Sequence, residues 1–310
     1  MPHVDNQRFE TILLRQTKDG QVPLESVTAL PLGNSYVTDD QLSIMQRMPN
    51  LDYIVLDDCA ITDKGLSHLR SLRQVRYLSL RNTKVTDAGM EYVANLDHLE
   101  SLHLGGTAVG DAGLRHIMRC WALTYLMLLR TRVTDTGVVA LGALINLTQL
   151  GLSYTALTDA GMAGVAHLPN LESFSAIETQ IGDDGMARLR AAWALYELNL
   201  GGTRIAGTGF ASLEGLTRLA RLNVSRTLIT DDTLPHLSKL TSLHQLDLND
   251  TYVTNQGIMV LAALPQLTSL GVIETPVTAE GARLLKRASR SADLSIFEEG
   301  DYEAADDNNF

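Results

Sequence analysis

Apolar and polar residues follow one unchanging period along this chain. The stretch from Val75 to Met90 has apolar side chains at its first, fourth, sixth, eleventh and sixteenth positions. The same frame returns 24 residues later around Leu99 and Leu102, and it continues through eleven registers without insertion or deletion. Alternation between positions 3 and 7 predicts a short β-strand, because successive strand side chains point to opposite faces. Apolar residues at positions 16, 19 and 22 predict a short helix with one buried face.

Each register therefore predicts one strand, one turn and one helix. Units of this kind stack on their neighbours, which predicts a solenoid with a parallel β-sheet on one side and short helices on the other. Neighbouring strands lie about 4.8 Å apart, whereas packed helices need about 8–10 Å. The helical side must then be the longer arc. The predicted fold class is an α/β solenoid shaped as a horseshoe, with the sheet on its concave face and the helices on its convex face.

The period also divides the chain into predicted segments. Leu294 and Ile296 fall 24 residues after Leu270 and Val272, which predicts a further strand at the end of the sheet. The last thirteen residues hold six acidic side chains and no apolar pattern, which is typical of disorder. The segments are an N-terminal cap (1–26), eleven repeats of 24 residues (27–290), a C-terminal closing strand (291–297) and a disordered acidic tail (298–310).

The turn between strand and helix carries the remaining constant residues. Position 9 is Thr in nine registers, where a hydroxyl can satisfy backbone groups left over at the end of the strand. Position 13 is Asp in eight registers, usually after Thr, which indicates a helix start. A calcium-binding ladder of carboxylates is the alternative, and the absence of a glycine-rich nonapeptide disfavours it. Gly at position 15 indicates a close approach of backbone at the first helical turn.

The repeat unit L-x-x-L-x-L-x-x-T-x-V-T-D-x-G-L resembles leucine-rich repeats of the ribonuclease-inhibitor-like class, especially those of F-box-associated and related bacterial proteins. The resemblance covers about residues 27 to 296. It implies a leucine-rich repeat horseshoe whose concave sheet and flanking loops bind another protein. The function that it implies is a non-enzymatic protein–protein interaction scaffold. The alternative is a substrate-recognition subunit or effector that acts with a separate ubiquitin ligase component.

Positions 3, 5, 7 and 8 are not needed for the core, so their side chains are candidates for binding a partner. Three of the nine tyrosines stand at position 3, and apolar, Met, His and Arg side chains surround them. This composition is typical of interface hot spots, although tyrosines are also common on ordinary half-exposed sheets. The candidate partner-binding residues on the concave face are Tyr53, Val55, Tyr77, Arg81, His103, Tyr125, Met127, Leu129, Arg130 and Tyr154.

Composition narrows the possible functions further. The net charge of −11 disfavours nucleic acid as a partner, and no apolar run approaches the roughly 18 residues of a membrane span. Two cysteines at different repeat positions and no visible signal peptide predict a reducing, cytoplasmic location. No nucleophile elbow, phosphate loop or zinc spacing is found, so no catalytic activity, metal or cofactor is predicted. The oligomeric state is not predicted.

Two tryptophans depart from the repeat at one shared position. Trp121 and Trp193 lie 72 residues apart, where other repeats have proline. We expect them to pack where the helix returns to the next strand, and a role as binding anchors is the alternative.

Overall fold

The computed structural model describes residues 23–297 and divides the chain into two compact units, one ending at Leu147 and one beginning at Thr148. The N-terminal cap and the acidic tail expected from the sequence lie largely or wholly outside the described residues. Each unit contains a parallel sheet whose strands follow one another in chain order. The first unit holds β1 (Ala29–Pro31), β2 (Tyr53–Val55), β3 (Tyr77–Ser79), β4 (Ser101–His103) and β5 (Tyr125–Met127). The second holds β6 (Gln149–Gly151), β7 (Ser173–Ser175), β8 (Glu197–Asn199), β9 (Arg221–Asn223), β10 (Gln245–Asp247), β11 (Ser269–Gly271) and β12 (Ser295–Phe297).

Strand pairing follows the 24-residue period until the last strand. Tyr53 pairs with Tyr77 in the first unit, and Glu197 pairs with Arg221 in the second. The final pair is different, because Leu270 lies opposite Ile296, 26 residues away, and not opposite Leu294. The expected spacing of 24 was therefore wrong for β12. The helix before it, Ala279–Ala288, is the longest described helix with ten residues, and it lengthens the connection.

The helices are shorter than the apolar spacing suggests, and many contain a tighter 3-10 turn. The described α-helices are Asp63–Leu66, Met90–Val93, Asp111–Ile117, Asp135–Leu141, Met162–Val165, Asp183–Met186, Leu234–Leu237, Asn255–Ile258 and Ala279–Ala288. The 3-10 segments are Leu24–Ser26, Gln41–Arg47, Ser67–Ser71, Asp87–Gly89, Ala187–Ala191, Thr208–Leu213, Asp231–Thr233 and Met259–Ala263. Short helices suffice here because the packing of each apolar face, more than helix propensity, stabilises them.

The repeated leucines form the core of each unit. In the third repeat Leu78 and Leu80 are completely buried, as are their counterparts Leu102 and Leu104 in the fourth. Repeat seven replaces one leucine by Ala176, and the preceding inward position holds Phe174. Both side chains are fully buried, so this repeat has a larger ring at one core position and a smaller methyl group at the next.

Each strand from β3 to β11 ends in a turn that a threonine and a left-handed residue define. The hydroxyl of Thr83 donates to the carbonyl of Leu80 at 2.7 Å, and Thr203 repeats this bond to Leu200 at 2.7 Å. These bonds satisfy the carbonyl groups at the strand end, as the sequence predicted. The preceding residue has a positive φ even where it is not glycine, as at Arg130 (53°) and Tyr154 (56°). Position 8 is therefore constrained by the backbone, a constraint that the apolar pattern does not reveal.

The aspartates at position 13 connect consecutive repeats. Asp63 accepts hydrogen bonds from the N–H of Thr86 at 2.8 Å and from its hydroxyl at 2.6 Å. Thr86 in turn accepts from the N–H of Ala88 and so caps the following helical turn. The threonine thus provides the helix cap that the sequence predicts, whereas the aspartate accepts hydrogen bonds from the next repeat. A Cβ on Gly89 would lie 2.5 Å from the Asp63 carboxylate, which explains the glycine.

Candidate functional site

The side chains that point away from the core of the first unit include a row of four neighbouring rings, with two stacked contacts and one tilted contact. The rings of Tyr53 and Tyr77 are stacked with centroids 4.4 Å apart and an interplanar angle of 14°. His103 continues the row at 5.3 Å from Tyr77 and 4.7 Å from Tyr125. We call these four residues, Tyr53, Tyr77, His103 and Tyr125, the aromatic ladder. Stacking of this kind fixes side chains that a half-exposed sheet would otherwise leave mobile.

Strand register explains why a histidine belongs to this row. Tyr77 pairs with Ser101, and Ser101 pairs with Tyr125, so the fourth repeat has a serine where its neighbours have tyrosine. His103 lies two residues further along β4 and on the same side of the sheet. Its ring occupies the gap between the two tyrosines, as the centroid distances of 5.3 Å and 4.7 Å show.

The ladder is accessible although its rings cover one another. Tyr53 is 39% exposed, and Tyr77, His103 and Tyr125 are half-buried. Stacked faces leave the ring edges available to a partner. Such rings combine a large apolar surface with polar groups and lose little entropy on binding, which is typical of hot-spot residues.

An ion pair stands beside the ladder at the end of the strands. Asp57 and Arg81 occupy position 7 of consecutive repeats, with Arg81 Nε 3.4 Å from Asp57 Oδ2. Asp57 Oδ1 also accepts from the N–H of Arg81 at 2.9 Å and from the hydroxyl of Ser79. Arg81 is among the site residues predicted from the sequence, whereas Asp57 is not. The signal was available, since opposite charges 24 residues apart in this period lie side by side just after adjacent strands.

Burial shifts the pKa values of three ladder residues in the direction of their neutral forms. It raises the pKa of Tyr77 to about 12, with further contributions from Tyr53 and Asp57. Burial likewise raises the pKa of Tyr125. For His103, burial lowers the pKa, Arg81 lowers it further, and Asp57 opposes the change. In Tyr77, His103 and Tyr125, burial thus favours the neutral form of the ring.

The remaining predicted site residues lie around or apart from this row. Val55 and Met127 are half-buried members of β2 and β5, and Leu129 is 39% exposed on the loop after β5. Arg130 follows it on the same loop and is exposed. Tyr154 belongs to the second unit, in the loop after β6. Of the predicted site residues, the structure brings the four rings into contact with one another and places Arg81 beside Asp57.

Position 5 in three repeats of the second unit holds a polar side chain that binds its own backbone. Asn223 Oδ1 accepts from the N–H of Ser225 at 2.9 Å, and Asp247 Oδ1 accepts from Asn249 at 2.9 Å. Asn199 makes the equivalent but longer bond to Gly201, at 3.3 Å. These side chains complete the hydrogen bonding of the strand ends, and burial raises the pKa of Asp247. Because they are bonded to their own backbone, these side chains contribute to the structure of the sheet more than to the recognition of a partner.

The two tryptophans contradict the expected packing. Trp121 and Trp193 are each 69% exposed, so neither fills a space between helix and strand. The carbonyl of Trp121 accepts a hydrogen bond from Asn146 at 2.9 Å, which fixes its backbone and leaves the indole outside.

The fold and the repeat geometry define a class of protein, a solenoid of strand–turn–helix units with a leucine core. A family model described as a leucine-rich repeat region matches residues 35–286, so the chain belongs to the leucine-rich repeat family. This confirms the predicted fold class. The ribonuclease-inhibitor-like and F-box-associated subtype stays a prediction. A search of curated proteins gives no match.

Solved structures of other leucine-rich repeat proteins share this fold at low sequence identity. An internalin from Listeria monocytogenes is 22% identical, with a TM-score of 0.58, 89% of this chain covered and 87% of that one. The mouse RP105/MD-1 complex is 18% identical with a TM-score of 0.66, covering 87% of this chain and 46% of that one. A plant peptide hormone receptor, RGFR1 in complex with RGF2, is 18% identical with a TM-score of 0.54, covering 89% and 54%. The chain thus spans about half the length of the last two.

None of the helices among residues 23–297 is both long and apolar enough to cross a lipid bilayer.

Proposed function

We propose that this protein is a non-enzymatic interaction scaffold that binds a protein partner on the sheet surface of its first unit. The aromatic ladder carries the proposal. It places four preorganised rings on a surface where the core needs none of them. Preorganised aromatic side chains contribute strongly to association because little conformational entropy is lost when they bind.

The surroundings of the ladder support the same function. Leu129 adds exposed apolar surface, and Val55 and Met127 add half-buried apolar side chains. Arg81 and Arg130 supply charge at the strand ends, where a polar rim is expected in an interface. Leucine-rich repeat proteins generally serve protein–protein interaction, and two structures that share the fold are complexes, RP105 with MD-1 and RGFR1 with RGF2. Tyr154 is an additional candidate on the second unit.

Comparison of two variants by affinity purification and mass spectrometry tests this proposal. Combined replacement of Tyr53, Tyr77 and Tyr125 by alanine removes three of the four rings. Proteins retained by the wild type and lost by this variant are candidate partners. For a partner so identified, we expect the triple variant to weaken binding by about 2 kcal/mol or more, the usual size of a hot-spot effect.

The matched control changes exposed strand residues of the second unit. Arg221→Ala with Gln245→Ala removes two exposed side chains from β9 and β10, and we expect partner binding to stay unchanged. A triple phenylalanine variant keeps the rings and separates the role of the hydroxyls. A partner that binds the triple alanine variant as well as the wild type would show that the ladder is not the interface.

A more specific role as the substrate-recognition subunit of a ubiquitin ligase, or as an effector acting with one, rests on the repeat resemblance alone. It requires that a ligase component co-purify with the wild type and support ubiquitin transfer to the bound partner. A cytoplasmic location agrees with Cys59 and Cys120, which are buried and not disulfide-bonded.

A further inference from the structure

A row of exposed apolar side chains lies on the second unit, in the turns that lead from strand to helix. Position 10 holds Leu228, Tyr252 and Pro276 in three consecutive repeats, whereas repeats two to eight have alanine, lysine, arginine or glutamine there. Leu228 is 54% exposed and Tyr252 is 60% exposed, and Pro276 is exposed as well. We call these three residues the turn row. Exposed apolar side chains grouped on a surface are typical of an interaction site.

Backbone hydrogen bonds connect the three turns that carry this row. The N–H of Tyr252 donates to the carbonyl of Ile229 in the preceding repeat at 2.9 Å. The N–H of Asp250 donates to the carbonyl of Ile273 in the following repeat at 2.7 Å. The turn of repeat ten is therefore bonded to the turns on both sides, and the three apolar side chains lie on adjacent turns.

The same turns are strongly acidic. In repeats seven to eleven, positions 8 to 14 hold eight acidic and two basic side chains, a net charge of −6. Extending the range to positions 6 to 17 changes this net charge only to −5. The positions outside 8 to 14 in these repeats hold four acidic and nine basic side chains, a net charge of +5. The five repeats are thus nearly neutral together, and their negative charge is concentrated in the turns.

Three exposed acids flank the turn row in the chain. Asp250 and Glu274 stand at position 8, two residues before the second and third members of the row, and Asp232 lies in the first helical turn of repeat nine. Among residues 23–297, none of these three carboxylates forms an ion pair, whereas Glu178 pairs with Arg226 at 2.7 Å. Three negative charges beside the apolar row are therefore available to a partner.

We propose that the turn row binds a partner protein through a basic segment, in which lysine or arginine stands beside apolar side chains. The apolar side chains of this segment cover Leu228 and Tyr252. Its cations approach Asp232, Asp250 and Glu274, because complementary charges favour encounter and fix the orientation of a bound segment. This surface belongs to the second unit, so the inference does not depend on the aromatic ladder.

Charge disfavours other occupants of the turn row. Nucleic acids and anionic lipids are repelled by the acidic turns. Residues 298–310 carry six acidic side chains and no basic one, so the same repulsion acts on that segment. A second copy of the chain is the remaining alternative, since the other positions of repeats seven to eleven are basic, and the experiment below distinguishes it.

Three peptides of equal length serve as probes. Acetyl-Lys-Leu-Lys-Leu-Lys-amide combines both chemistries, a version with serine in place of leucine lacks the apolar side chains, and a version with glutamate in place of lysine reverses the charge. Binding to the full chain is followed by the ring signals of Tyr252 in protein with isotope-labelled tyrosine, assigned by their loss in Tyr252→Phe. We expect the lysine–leucine peptide to bind at least about fivefold more tightly than either other peptide, with the affinity reduced by salt.

Reversal of the charge beside the row tests the same surface from the protein side. Asp250→Arg with Glu274→Arg should keep the fold, because Arg226 occupies the same left-handed position in repeat nine. Glu91→Arg with Glu172→Arg is the matched control, since it changes the net charge equally at exposed positions outside these turns. We expect the first variant to weaken binding of the lysine–leucine peptide at least about tenfold and the control less than about twofold. If the first variant does not fold, Asp250→Asn with Glu274→Gln removes the charges with little change in shape.

Several results would overturn the inference. Peptide binding that leaves the Tyr252 signals unshifted would place the site elsewhere on the protein. Equal affinity for the glutamate–leucine or the lysine–serine peptide would exclude a basic apolar segment as the occupant. Equal losses in the arginine variant and its control would show a general effect of net charge. Self-association of the wild type in analytical ultracentrifugation, abolished by Asp250→Arg with Glu274→Arg but not by the control, would assign the turn row to a second copy instead.

Discussion

Single residues decide how one repeat is attached to the next. The aspartate at position 13 accepts two hydrogen bonds from a threonine of the following repeat, at 2.8 and 2.6 Å for Asp63 and Thr86. Where the chain has Asn255 at this position, its Oδ1 still accepts from the N–H of Thr278 at 2.8 Å, and its Nδ2 donates to the hydroxyl. An acceptor for the backbone N–H is therefore the essential feature, and the negative charge is secondary.

Replacement of Asp63 tests this role. Asp63→Ala leaves the partly buried N–H of Thr86 without its acceptor and should lower the free energy of unfolding by about 1–3 kcal/mol. Asp63→Asn keeps an acceptor, as Asn255 does, and should lose less than about 1 kcal/mol. Urea denaturation measures both. Asp184→Ala, an exposed acid in the first turn of another helix, is the control and should change stability by less than about 0.5 kcal/mol. Equal losses for the alanine and asparagine variants of Asp63 would contradict the role assigned to the acceptor.

His103 makes the stability of the first unit depend on pH. Its pKa is lowered in the folded protein, mainly by burial, so the unfolded chain takes up the proton first as the pH falls. Stability is then full above the unfolded value of about 6.5 and decreases as the pH falls below it. His103→Phe keeps a ring in the ladder and removes the titration. We expect the free energy of unfolding to vary less between about pH 7.5 and pH 5.5 in this variant than in the wild type. Parallel pH profiles for both proteins would exclude His103 as the source.

At the level of the repeated element, the turn after each strand requires a left-handed residue. Nine described residues other than glycine adopt positive φ, among them Glu274 at 56°. The left-handed conformation costs about 1–2 kcal/mol for residues with a Cβ. The N–H of the position 8 residue donates to the neighbouring repeat, as Asp250 does to Ile273 at 2.7 Å. Inter-repeat bonding thus holds the turn in a conformation that most side chains disfavour.

Glu274 is exposed and suits a test of this strain. Glu274→Gly should change stability by between zero and about 1 kcal/mol in the stabilising direction, since relief of strain is partly offset by unfolded-state entropy. Glu274→Val should destabilise by at least about 1 kcal/mol, because β-branched residues are outliers at positive φ. Thermal and urea unfolding provide the measurement. If valine and glycine gave the same stability, the turn conformation would not control this position.

The period was enough to predict strands, helices and the leucine core, because each apolar position repeats in the same environment. It could not show that Thr86, and not Asp87, caps its helix, since the two are adjacent and either oxygen type suits an N-terminus. It selected His103 without showing that the ring fills the gap at Ser101, because ring stacking depends on side-chain direction. It placed β12 two residues out of register, since the final helix is longer than the others. The prediction for the two tryptophans was wrong because it inferred a packed position from their apolar character and shared position alone.

At the level of the whole molecule, the repeats contact mainly their neighbours within each compact unit. Stability of such an array is approximately a sum of repeat and nearest-neighbour terms. The aromatic ladder belongs to the first unit, whereas β10 belongs to the second. Repeats of the second unit can therefore be altered without changing the residues that are proposed to bind a partner.

Deletion of residues 245–268 removes one complete register and joins His244 to Ser269. Arg221 and Gln245 are in register, as are Gln245 and Ser269, so the shortened chain brings Arg221 opposite Ser269 with the leucine pattern intact. We expect a folded protein with a smaller urea m-value, because less surface is exposed on unfolding. Binding to a partner found through the ladder should be unchanged. Deletion of residues 245–256 shifts the frame by half a repeat and should abolish folding of the second unit. Loss of partner binding in a correctly folded 24-residue deletion would move the interface away from the ladder and toward the second unit.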